Sequence, residues 1–152
     1  TPLQLANYVA TLVSGGEHYA AHLLKSVKSY DNSRLIYNYD EKPLNDMNIS
    51  DSTMAAVTKG MHDLTHDSLT SAFSRCMVEA GAKTGSAQVG TDIANGVFVA
   101  YAPYDDPEIA VAIVVEKGGS GSLLANTAVD IINAWFSRGS SSVTTGENTL
   151  LQ

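Results

Sequence analysis

The apolar positions recur with two periods along the chain, and each period marks a kind of element. Leu5, Tyr8, Val9, Leu12 and Val13 fall at helical spacing and mark one buried face. Thr1 supplies a capping hydroxyl, Pro2 stands where a missing N–H costs nothing, and Gln4 completes the capping-box pattern. Gly15-Gly16 ends this helix, since glycine accepts the left-handed stop conformation. A second helix is predicted after Ser50 or Ser52, with Asp51 at the positive end of its dipole and Met54, Val57, Met61 and Leu64 on one stripe. A third places Leu124, Ala128, Ile131, Ile132 and Trp135 on one side.

Between the helices the runs shorten to strand length. Residues 23–28 and 34–39 flank a turn at Asp31-Asn32-Ser33 and read as a hairpin. Residues 97–101 form a strand, Pro103-Tyr104-Asp105-Asp106-Pro107 a turn, and residues 109–115 a second strand. The last run is apolar on both faces, which predicts a central place in its sheet, and the short link makes the two strands antiparallel neighbours. Residues 41–48 are polar, contain Pro43 and read as a surface loop, while 67–76 read as an irregular link or a short helix. Helices and antiparallel strands that do not alternate as βαβ units predict an α+β fold. The expected sheet is built from the hairpin and the strands around 77–115, with helices packed on it. The domain runs over 1–136, and the Ser-, Thr- and Gly-rich residues 137–152 read as a flexible tail.

Composition narrows the function classes. The chain has 152 residues, 44% of them hydrophobic, and a net charge of −7. That content supports a real core and excludes wholesale disorder. The acidic balance argues against gripping nucleic-acid phosphates. No apolar run approaches the about 18–20 residues needed to cross a bilayer, and the N-terminal residues lack the basic and apolar blocks of a signal peptide. The single cysteine, Cys76, excludes an intrachain disulfide and reads as a buried small hydrophobe, and most of the seven tyrosines read as half-buried strand residues.

Three places could carry chemistry. In Lys83-Thr84-Gly85, a Lys on an edge strand projects a cation into a cleft, the Thr hydroxyl adds a donor, and both suit a carboxylate. The Gly leaves room for a substrate backbone beside the strand, and the Ser86 N–H could face a developing oxyanion. The plain alternative is a solvated Lys before a turn. In His62-Asp63-Leu64-Thr65-His66, two imidazoles one helical turn apart face the same way, as zinc ligands must. No third ligand is evident in the sequence, although Asp67, His18 or His22 could lie near, and the plain reading is a polar helix end. Residues 118–122 are glycine- and serine-rich before a helix; they lack a P-loop Lys and read as a flexible connection.

The surroundings of Lys83 add to this reading. Ala80-Gly81-Ala82-Lys83-Thr84-Gly85-Ser86-Ala87-Gln88 resembles the third motif of the penicillin-binding transpeptidases, serine acyltransferases that cross-link peptidoglycan. Thr1-Pro2-Leu3-Gln4-Leu5-Ala6 is similar to that family's T-P-x-Q-x-A helix start, and Gly60-Met61 to the G-M of the helix before the motif. The stretches 95–103 and 109–116 resemble the next two strands. The likeness spans roughly residues 1–136 and is closest to the class B enzymes. Ala82 stands where the family often has Gly. A larger departure is that no Ser-x-x-Lys is present: the residues three before the six lysines are His22, Lys25, Tyr39, Ala56, Ala80 and Val114. Ser-x-Asn is absent too. Both lie before T-P-x-Q in the family, so the chain reads as the C-terminal half of a transpeptidase domain.

The resemblance implies that Lys83 and Thr84 hold the carboxylate of a stem peptide or β-lactam, that Gly85 keeps the strand open, and that the Ser86 N–H is half of an oxyanion hole. It implies no metal or organic cofactor, and a parent anchored in the bacterial cytoplasmic membrane with this domain outside. The missing N-terminal half would be this chain's partner, and its loss would expose a face prone to self-association. The chain alone is expected to be inactive. The rival reading is a non-catalytic scaffold or partner-binding module that keeps the fold.

Overall fold

The computed structural model describes residues 1–91 and 93–139. Helix α1, Pro2–Val13, opens on the predicted box: Gln4 N–H donates to Thr1 Oγ1 at 3.3 Å, and the Thr1 nitrogen donates to Gln4 Oε1 at 2.7 Å. It ends at Gly15 and Gly16, with φ of +80° and +103°. Strand β1, Glu17–His18, follows, then β2, Ser26–Lys28, and β3, Leu35–Asn38, which pair antiparallel around the predicted turn. Asp31 holds that turn with its carboxylate, accepting from the Ser29 and Ser33 hydroxyls at 2.6 and 2.7 Å.

Two expectations for this region change. The hairpin is a two-stranded sheet of its own and does not join the main sheet. Every residue of β2 and β3 is exposed, so no buried face ties them to the core. The loop 41–48 contains β4, Asn45–Asp46, paired antiparallel with β1. A two-residue strand has no hydrophobic period and leaves no mark in the pattern.

Helix α2, Asp51–His66, is capped by Ser50, whose hydroxyl accepts from Thr53 N–H at 3.3 Å. The link after it holds a short helix α3, Thr70–Phe73. The main sheet follows: β5, Gly81–Gln88, β6, Ala94–Ala102, and β7, Ile109–Val115. The order is β5-β6-β7, all antiparallel, with Lys83 opposite Val99 and Val99 opposite Ala112. A 3-10 turn, Gly121–Leu124, leads into α4, Ala125–Phe136. The chain is then described through a second 3-10 turn, Ser137–Gly139, where the Arg138 guanidinium lies 4.9 Å over the Trp135 ring. The rest of the predicted tail, 140–152, lies outside the described residues.

The sheet is sandwiched. Alternation puts Ala82, Phe98, Ala100, Ala102 and Val111 on one face, packed on Leu69, Ala72, Ala125, Ala128 and Ile132 of the α3–α4 layer. The other face presents Tyr101, Val99 and Ala110 to Val9 of α1 and Met61 of α2. The sequence predicts a central place for β7, and the structure corrects this. It is an edge strand among the described residues, with β6 in the middle. Both its faces are apolar because α1 covers one and α4 the other.

The helix stripes are also narrower than the pattern implied. Val9, Met61, Ala128 and Ile132 are buried, whereas Tyr8, Val57, Ile131 and Trp135 are exposed. Cys76 is half-buried against the α4-side core. Of the tyrosines, Tyr101 is fully buried and Tyr30 lies wholly in solvent.

Candidate functional site

Lys83 lies on β5, whose outer edge no described strand pairs. Its side chain leaves the strand on the side of α1 and α2, where it borders a groove of about 390 Å³. The walls are apolar: Tyr8 and Leu12 come from α1, Ala56 and Val57 from α2, and Val99 from the floor. The ammonium currently donates to the Thr84 carbonyl oxygen at 2.6 Å. A cation at the lip of an apolar trench, beside an open strand edge, suits a ligand with a carboxylate and an extended backbone.

Alternation sets the rest of the motif. Gly85 shares the Lys83 side and lies opposite Val97, while Thr84 and Ser86 fall on the α4 side. Ser86 Oγ accepts from Gly121 N–H at 3.4 Å. The glycine-rich residues 118–122 are therefore more than a loose connection. Gly119 N–H donates to Ala94 O at 3.0 Å, and Gly121 seats its backbone directly on the motif strand. A Cβ built on Gly121 would lie 2.3 Å from the Gly85 oxygen and 2.2 Å from that of Val97, closer than any side chain allows.

Sequence reasoning missed several members of this site. Tyr8, Leu12 and Val57, which the periodicity places on buried stripes, line the groove instead. Gly60, matched only as part of a dipeptide, also lines it, and a Cβ there would meet open space. Met61 beside it is buried beneath, in contact with the Val9 and Tyr101 cluster. The signal that could have separated wall from core is the helix register relative to Val9, which only the packing fixes.

The two histidines of α2 do come together. Their ring centroids are 4.0 Å apart, and His62 also stands 4.2 Å from the Tyr104 ring. The third neighbour is none of those the sequence offered. His18 Nε2 meets Asn7 Nδ2 at 3.0 Å, and His22 stacks on Tyr39. Glu79 takes the place instead, with its Oε2 3.2 Å from His62 Nε2. His62, His66 and Glu79 each bring one ligand-type atom, all within 4.8 Å of one another.

A family model described as penicillin binding protein transpeptidase domain matches residues 1–133. Penicillin-binding protein 2B of Streptococcus pneumoniae is 35% identical over 153 residues, covering 89% of this chain and 22% of that protein. A peptidoglycan D,D-transpeptidase of Mycolicibacterium smegmatis is 32% identical over 124 residues, covering 78% of this chain and 24% of that protein. Penicillin-binding protein A from M. tuberculosis, solved as an imipenem acyl-enzyme complex, superposes with a TM-score of 0.78 at 28% identity, covering 90% of this chain and 31% of that one. The chain thus spans about a fifth to a quarter of the length of these curated relatives. By the extent of the family match and the shared mixed helix and antiparallel-sheet architecture, the chain belongs to the penicillin-binding protein transpeptidase domain family.

Proposed function

We propose that this chain is the portion of a peptidoglycan D,D-transpeptidase domain that carries the Lys-Thr-Gly strand. In this reading Lys83 receives the carboxylate of a stem peptide or a β-lactam from the groove side, Thr84 is the second carboxylate contact that the family resemblance implies although its side chain alternates to the α4 face, and Gly85 lets the ligand backbone lie along the strand. The Ser86 N–H contributes half of the oxyanion hole, and the other half comes with the nucleophile. The observation that carries the reading is the Lys83 cation at the lip of an apolar groove beside an unpaired strand edge. An edge strand offers its free N–H and C=O groups to an extended peptide, and a fixed cation sets which end of that peptide lies where.

The 152 residues hold no Ser-x-x-Lys and no Ser-x-Asn. The serine that would attack the D-Ala-D-Ala carbonyl is in this reading supplied by polypeptide outside them, which forms the further wall of the groove of Tyr8, Leu12 and Val57 and leaves the Lys83 lip to the ligand. The parent reaction transfers the acyl group of one stem peptide to an amine of a neighbouring strand, on the outer side of the cytoplasmic membrane. No helix among the described residues is long and apolar enough to cross a membrane.

Oxyanion stabilisation without a nucleophile forms no covalent bond. Intact-mass measurement after incubating the chain with a β-lactam should therefore show no adduct; a stable adduct on one serine overturns the assignment. In a parent polypeptide that carries the nucleophile, Lys83→Ala should slow acylation about 10–100-fold, the worth of a charged hydrogen bond.

A second reading has one observation in its favour. The sheet has its own core on both faces, so the chain could fold as a non-catalytic, partner-binding module. The state of the chain in solution separates the two: a clean monomer favours the module.

A further inference from the structure

We propose that His62, His66 and Glu79 form a binding site for a divalent transition metal, with Zn²⁺ the ion best matched to two imidazoles and a carboxylate. The site lies outside the Lys-Thr-Gly groove and does not depend on the function proposed for it. The argument begins with spacing. Zinc bonds of about 2.0–2.2 Å in tetrahedral array hold ligand atoms roughly 3.3–3.5 Å apart. His62 Nε2 and Glu79 Oε2 already stand 3.2 Å apart, and the whole triad lies within 4.8 Å. The side chains of His66 and Glu79 are exposed, so small rotations close the remaining gap.

The tautomer is prepared as well. His66 Nδ1 lies 3.1 Å from the His62 carbonyl oxygen, which can only accept. Nδ1 therefore carries the proton, and Nε2 keeps the lone pair that a metal needs. A backbone carbonyl on the distal nitrogen is the usual orienting partner of a metal-bound histidine. The proton that His62 Nε2 shares with Glu79 in the metal-free chain is the one that the ion displaces.

The scaffold beneath is fixed. Thr65, 2% exposed, lies between the two histidines on α2 and donates to the Ala80 carbonyl at 2.9 Å. The Glu79 carbonyl accepts from Tyr104 N–H at 2.9 Å. The backbone just after the Glu79 side chain is thus fixed to α2 through the Ala80 carbonyl and to the turn between β6 and β7 through the Glu79 carbonyl. Three protein ligands leave a fourth position to solvent, and the ion would clip α2 to the residues that lead into β5.

The test titrates the 152-residue chain with Zn²⁺ by calorimetry and with Co²⁺ by visible absorption. One saturable equivalent is expected, with cobalt bands typical of a low-coordinate N/O site. His66→Gln and Glu79→Gln should each weaken binding by about tenfold or more, since loss of even an orienting partner costs 10–100-fold. His22→Gln should leave it unchanged. Zn²⁺ should raise the melting temperature of the wild-type chain and not that of the folded Glu79→Gln variant. No saturable heat, or equal binding in the His66→Gln/Glu79→Gln double variant, overturns the site.

Discussion

Gly81 and Tyr101 show how one missing side chain organises the root of the candidate site. The Tyr101 ring lies across Gly81 so closely that a built Cβ would stand 2.4 Å from Cε1. Gly81, two residues before Lys83, thus makes room for a fully buried ring. The Tyr101 hydroxyl has no hydrogen-bond partner among the described residues. Burial, with Tyr104 and Asp105 nearby, pushes its pKa up to about 12. In the unfolded chain the phenol ionises near 10, while in the fold it stays neutral to about 12. The contribution of Tyr101 to stability is therefore complete below about pH 10 and is lost as pH rises from about 10 to 12. Tyr101→Phe should be as stable as the wild type at pH 7, or up to about 1 kcal/mol more stable, because it removes an unpaired buried polar group. Urea denaturation at pH 7 and pH 11 should show a smaller loss between the two for the variant. At this scale the sequence revealed Lys83-Thr84-Gly85-Ser86, since the motif and its flanks are local. It could not reveal Glu79 beside His62 or Tyr101 over Gly81, since both contacts join residues far apart in the chain.

At the scale of elements, α4 is joined to the segment before β5 by polar bonds as well as by its core face. Arg75 donates to the Asp130 carboxylate at 2.5 Å and to the Asn126 carbonyl at 2.9 Å. The Asp130 carboxyl is held below its usual range chiefly by that hydrogen bond from Arg75. Asn133 ties both sides of the same bend, donating to the Arg75 carbonyl at 3.0 Å and accepting from Met77 N–H at 2.8 Å. Two neutral hydrogen bonds of about 1 kcal/mol each would be lost together. Asn133→Ala should therefore destabilise the chain by about 1–2 kcal/mol, read as a lower denaturant midpoint at unchanged slope. The helices were the legible elements, because Thr1 and Ser50 announce their starts and Gly15-Gly16 a stop. Strand rank was not legible: an apolar run reports how many faces are covered, and β7 is covered on two while lying at the side of its sheet. The isolation of the hairpin leaves no mark in the pattern, because Leu35, Ile36 and Tyr37 have the composition of core residues and yet are exposed.

At the scale of the molecule, two apolar surfaces stand open among the described residues. One is the groove of Tyr8, Leu12 and Val57, and the other is the hairpin. Exposed patches of this kind drive association when nothing covers them. If the groove is the seat of other transpeptidase segments, the chain should elute in size-exclusion chromatography above its 16.0 kDa monomer mass. Tyr8→Ser with Val57→Ser should then shift it toward monomer. A clean monomer at all concentrations would favour the free-standing module instead. The α+β architecture itself was legible from helix caps and strand runs, whereas the open groove depends on which residues of two helices turn away from Val9 and Met61.

The turn at Gly121 gives the Lys83 strand a backstop. Its bare α-carbon rests on the carbonyls of Gly85 and Val97 from the side opposite the groove, with no slack for even a methyl group. The position of the motif is thus set from behind as well as by its own ladder. An alteration at the rear of the sheet would shift the strand that carries Lys83, so the place of the cation in front is set from a side it does not face.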